Sequence, residues 1–289
     1  MTDTLFLATL ETARTLGITK NWKASAAGST TTLVDTVGRL ENNDHWNQGT
    51  IWITYDAGGA GAAPEGEFSI ITDYVQSTGT LTFQALTAAT TTNDRYEIAM
   101  PLFSLQEIIS AVNNVLSGVF VPTWDTTSLD TVAAQTEYDL PAACTSGNLR
   151  GVYVQTNDDA DDNKPERVER WWVKEGATGS VDTLVMPEYT AGYDIWLKYI
   201  ARHSSVYLPA SKISEVIDLQ ALGVHAAVIL AANAASSGIK SMAGLANLLL
   251  NRKESMPLLR SVVPKPNKFR IISGPSSSSY TGEVGKVRI

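Results

Sequence analysis

The chain has 289 residues, 44% of them hydrophobic, enough for one large domain or two ordinary ones around a real core. Its net charge of -8 excludes a protein that coats nucleic acid with its whole surface, and its single cysteine, Cys144, excludes an internal disulfide. The acidic amphipathic N-terminus has no basic n-region and no run approaches about eighteen apolar residues free of polar ones, so neither a signal peptide nor a membrane span is predicted.

In chain order, residues 4–16 place Leu5, Leu7, Ala8, Leu10, Ala13 and Leu16 at helical spacing and stop at Gly17, which predicts an N-terminal helix. From Trp22 to Glu97 serine, threonine and glycine become frequent. The β-prone runs 31–34, 50–55, 67–74, 79–83 and 95–99 predict a small antiparallel β module. With its own aromatics (Trp46, Trp52, Tyr55, Phe68, Tyr74, Phe83, Tyr96) it is expected to fold by itself. Its loop 56–66 (DAGGAGAAPEG) is expected to be a mobile tip, or ordered only by a partner.

Ser104-Leu-Gln-Glu107 is a capping-box pattern, and Leu105, Ile108, Ile109, Val112, Val115 and Leu116 continue it as one apolar stripe to Gly118. A second β region follows, at 137–140, 150–155, 167–173, 183–186 and 192–200. In its last strand Tyr193, Ile195, Leu197 and Tyr199 face one side and Asp194, Trp196 and Lys198 the other. A long helix is expected almost at once, begun at Pro209 and capped by Ser211 or Ser214, with Glu215 and Asp218 near its N-terminal dipole. Its alanine-rich sequence has almost no polar face, so it is expected to be buried, with Ile217, Leu222, Ala226, Val228 and Ala232 packed on the 105–116 helix. A further helix spans 239–251. From Arg252 onward eight Lys or Arg stand against two Glu, a net of +6 that leaves -14 on the rest. With its prolines and the run 276–279, this tail predicts an extended arm.

These elements make an α+β protein: a helical core (N-terminal helix, helix near 104–118, long helix near 211–236, helix near 239–251) with two β-rich regions and an extended C-terminal arm. The expected divisions are 1–20, 21–100, 101–251 and 252–289. Chemistry is sparse. His45, His203 and His225 lack metal-ligand spacing, and CxxC, HExxH, P-loop, GxSxG and helix-leading GxGxxG motifs are absent from the sequence. No catalytic, cofactor-binding or metal residue is therefore predicted, and no enzyme is expected. The acidic run Asp158, Asp159, Asp161, Asp162 reads as a solvated hairpin tip, because no glutamate falls at the last ligand position of an EF-hand loop. Cys144 reads as a small buried hydrophobe, and the scattered Trp and Tyr as core or interface.

The phrases AGSTTTLVDT (27–36), NNDHWNQGTIWIT (42–54), STGTLTFQ (77–84), DRYEIA (94–99) and SLQEIISAVNNVL (104–116) resemble structural proteins of tailed bacteriophages. TEYDLPAAC (136–144), VERWWV (168–173), TAGYDIWLKYIARHSSVYLP (190–209) and the alanine-rich helix are similar to head-to-tail connector (adaptor) proteins of phage necks. The resemblance covers roughly residues 1–250 and implies a homo-oligomeric ring, commonly dodecameric. Such a ring docks on the portal protein, extends the DNA channel towards downstream neck or tail proteins, and belongs to the virion neck after assembly in the host cytoplasm. In that setting the arm would dock on the portal through Val262, Val263, Lys265, Lys268, Phe269, Arg270, Ile271, Ile272, Lys286, Val287, Arg288 and Ile289. The rival is contact of its basic residues with packaged DNA. Two other classes stay open: another virion protein (tail completion, tail tube or decoration), and a carbohydrate-binding or hydrolytic module suggested by the aromatics and acids.

Overall fold

The computed structural model describes residues 3–38, 41–59, 61–156, 165–177 and 180–259. The fold is mixed α+β, and its described residues form two compact units divided after Val121 and after Ala201.

The first unit opens with α1 (Leu5–Thr15), ended by Gly17 in the left-handed region (φ 69°). Six strands follow: β1 (Thr19–Lys23), β2 (Thr32–Val34), β3 (Thr50–Tyr55), β4 (Phe68–Val75), β5 (Thr80–Phe83) and β6 (Arg95–Ala99). They pair antiparallel in the order β1-β6-β3-β4-β5-β2. Alternation divides the central strands between two cores. Ile51 and Ile53 of β3 and their cross-strand partners Ile98 and Tyr96 of β6 face one apolar cluster, which also holds Trp46, Tyr74 and Leu81. Trp52 and Ala99 face the other way and join a cluster built from the helices. There the Trp52 indole N–H donates to Thr9 Oγ1 on α1 at 3.1 Å. Two residues from Ala99 on β6, and directly across from Trp52, the buried Glu97 carboxylate accepts from Arg14 Nε at 3.2 Å and from Nη2 at 2.5 Å. That hydrogen-bonded pairing raises the guanidinium pKa above its ordinary value.

Four helices supply most of this second cluster: α1, α2 (Leu105–Ser117), α3 (Leu219–Ser236) and α4 (Lys240–Ser255). The α2 capping box is complete: Ser104 Oγ accepts from Glu107 N, and the Glu107 carboxylate accepts from Ser104 N at 2.8 Å. α3 packs against α1, α2 and α4. At Gly223 it approaches α1 so closely that a Cβ would lie 3.0 Å from the Glu11 carbonyl carbon, so the smallest residue sits at the crossing. By length and composition α3 could cross a membrane, but half of it is buried inside the protein, as a core helix is.

The second unit has a four-stranded antiparallel sheet in the order β10-β9-β13-β7, made of β7 (Phe120–Asp130), β9 (Leu149–Gln155), β10 (Glu166–Arg167) and β13 (Asp194–Arg202). A three-stranded sheet holds β11 (Trp172–Lys174), β12 (Thr183–Val185) and β8 (Glu137–Asp139). Val152, Val154, Leu184, Ile195 and Leu197 are the fully buried centre of its core.

Several expectations are corrected. The long helix begins at Leu219 and not near 211, with the Asp218 side chain capping Ala221 N at 2.8 Å. Residues 209–213 are already committed elsewhere: Phe6 N donates to Pro209 O, Leu5 N to Ser211 O and Ile213 N to Asp3 O. Ala232, expected on the packed face, is exposed. The 167–173 strand is two short strands in different sheets, and the expected end at residue 251 falls inside α4, which continues to Ser255. Two residues of the β module, Trp52 and Ala99, belong to the helices' core. Its loop is tied down: the Glu65 carboxylate accepts from Asp56 N and Gly61 N, and Asp94 from Ala57 N.

Candidate functional site

All twelve arm residues expected to dock on the portal, from Val262 to Ile289, lie outside the described residues, as does the acidic run 158–162. The root of the arm is described. Asp218 N donates to Leu258 O at 2.9 Å, Leu259 bridges to Ile217, and both leucines pack on the helical cluster. The chain thus reaches residue 259 beside the start of α3.

Among the described residues no three His, Cys, Asp or Glu gather into a metal-holding group. Burial, with Asp125 adding to it, pushes the Cys144 thiol up to about 12, which leaves it protonated and unreactive at neutral pH. His45 is exposed, its ring edge-on to the buried Trp46 at 4.7 Å. His203 uses both ring nitrogens on backbone: Nε2 accepts from Ser214 N at 3.1 Å, so Nδ1 carries the proton shared with Ser204 O at 2.6 Å.

His225 differs. On α3, its Nε2 is buried and has no hydrogen-bond partner among the described residues. Burial, then the nearby Lys253 charge, lower its pKa below 6.5, against a hydrogen bond to the Met256 backbone. A depressed folded pKa contributes stability that is complete above the unfolded value and is lost as pH falls through the folded one. The melting temperature is therefore expected to drop on acidification below pH 6.5. His225→Leu should shrink that drop, as thermal melts at neutral and acidic pH would record; equal acid sensitivity of variant and parent would contradict it.

Among the described residues of the first unit, Tyr207 and Leu208 are two adjacent large apolar side chains, 63% and 70% exposed. The backbone on both sides is pinned. Val206 is buried, and the Asn113 amide of α2 holds it twice, donating to Val206 O and accepting from Val206 N, both at 2.8 Å. Beyond the pair, Leu208 N donates to Ser211 Oγ at 3.1 Å, and Pro209 O accepts from α1. Two large apolar side chains are thereby displayed on a braced segment, the arrangement of an anchor for a partner's pocket. No family model, no curated protein and no solved structure matches the chain. The likeness to neck proteins rests on the quoted phrases themselves.

The sequence marked this segment only as part of 190–209. Its display depends on Asn113 and the N-terminus of α1, which are distant from it in sequence.

Proposed function

We propose that the chain is a structural protein of a tailed-phage virion, a head-to-tail connector (adaptor) whose copies form a ring, dodecameric as the resemblance implies. In this reading the ring sits in the neck after assembly in the host cytoplasm, docks on the portal protein, and extends the DNA channel towards downstream tail proteins. The bundle α1–α4 is the helical core of each subunit, and residues 260–289 are the arm that reaches the portal. The braced Tyr207–Leu208 pair carries the reading. A closed ring of identical copies needs heterologous contacts, in which a projection on one copy enters a different surface of the next. The exposed Leu248 and Leu250 on α4 add apolar surface of the same kind.

Negative-stain images and sedimentation of the purified chain, alone and mixed with portal, test this. Rings that dock on the portal are expected, and Leu208→Asp should leave subunits that sediment as monomers with an unchanged melting temperature, because the site is exposed. A parent chain that stays monomeric with portal present would refute the connector. A copy number of hundreds per virion would instead indicate a decoration protein.

A further inference from the structure

We propose that the outer face of the β10-β9-β13-β7 sheet is a stacking platform for single-stranded nucleic acid, a property separate from ring formation. Val152, Val154, Ile195 and Leu197 point into the core, so the alternate positions of β9 and β13 form the opposite face. There Tyr153 stands directly across from Trp196, and on its other side from Arg167; Lys198 stands across from Gly151. From β7, Trp124 adds a third ring, 5.0 Å from Tyr153 and 6.3 Å from Trp196 between centroids, and it is 44% exposed. Lys198 Nζ lies over the Trp124 ring, 5.2 Å from its centroid. A Cβ on Gly151 would come within 2.9 Å of Tyr153 Cε2, so glycine there lets the tyrosine ring lie along its own strand instead of standing away from it.

Rings flanked by cations on an open sheet suit a ligand with planar unsaturated groups strung on an anionic backbone. Bases stack on the aromatic faces while Lys198 and Arg167 meet phosphates. Three other occupants fit less well. A duplex keeps its bases stacked inside. A neutral glycan gains nothing from the two cations. The chain's own residues 260–289 hold two aromatic rings, Phe269 and Tyr280, and so offer little to stack on the platform. Residues 122–201 carry fourteen Asp or Glu against six Lys or Arg, so the surrounding field is unfavourable and stacking must supply most of the affinity.

The test is fluorescence anisotropy of a labelled oligo(dT) titrated with the full chain across a salt series. Saturable binding is expected, with a log–log salt slope of about -1.4, the value for two phosphate contacts on a single strand. Trp124→Ala should weaken it about tenfold or more, Trp124→Phe should restore most of the loss, and Lys198→Gln with Arg167→Gln should flatten the slope. Far-ultraviolet circular dichroism verifies that each variant is folded. The platform is refuted by absence of saturable binding, by binding that Trp124→Ala leaves intact, or by displacement with a neutral maltooligosaccharide. Binding lost only on truncation after Leu259 also refutes it, and assigns the contact to the basic C-terminal residues.

Discussion

Ala227→Arg is expected to lower the melting temperature by about 10 °C or more. Ala227 is fully buried in the helical cluster of the first unit, on the helix that packs against α1, α2 and α4. An arginine there both overfills a close-packed site and carries an unpaired charge out of water, together costing about 4 kcal/mol or more. For a unit of this size each kcal/mol moves the midpoint by about 2–4 °C. Ala232→Arg is the control on the same helix: its site is exposed, and the expected change is within about 0.5 kcal/mol. Thermal melts of the two variants should diverge; coincident melts would mean that α3 is not the packed centre of its unit.

How much of this was legible depends on whether an element's partners lie near it in sequence. α2 carries its own start signal, because both halves of the Ser104–Glu107 box are local, and the bonds formed as the pattern predicts. The β-prone runs 50–55 and 95–99 coincide with β3 and β6, whose buried residues serve a core on either face. β7 lies outside the predicted strands: Pro122, Asp125 and its threonines interrupt its alternation, and it is recruited as a strand by its neighbour β13. β1 carries no strand pattern of its own either, since in Thr-Lys-Asn-Trp-Lys only Trp22 is apolar, as a sheet edge tolerates. The start of α3 was placed too early for the opposite reason. Pro209 and Ser211 have the chemistry of a helix start, but their carbonyls accept from the first turn of α1, some two hundred positions away.

The site was less legible than the fold. The aromatics were expected in core or interface, and Trp46 and Trp52 are fully buried, yet Trp124 and Trp172 are exposed. Nothing local separates the two kinds. The difference lies in which face of which sheet each strand presents, and that is set by β9 and β13 for Trp124 and by β12 for Trp172. The arm residues are legible only as a basic segment whose aliphatics loosely alternate with its charges, a pattern that does not say what it touches.

Removing residues 21–100 and joining Lys20 to Pro101 through a flexible linker is expected to give an aggregating chain. From sequence alone this deletion should be harmless, because the β module has strands, turns and aromatics of its own. Packing reverses that expectation. The deletion takes Trp52 and Ala99 out of the helical cluster, leaves the Thr9 face of α1 uncovered, and strips Arg14 of Glu97. It also removes β6, against which Thr19 and Lys20 of β1 pair. The milder Trp52→Ala isolates the shared layer: truncating a fully buried indole costs about 3–5 kcal/mol, whereas Trp52→Phe, which retains a ring but not the bond to Thr9, should cost less. Size-exclusion chromatography and thermal melts read all three. A deleted chain that elutes as a soluble monomer and melts cooperatively would show that the helices close their core without the sheet, and that the module is an insertion after all.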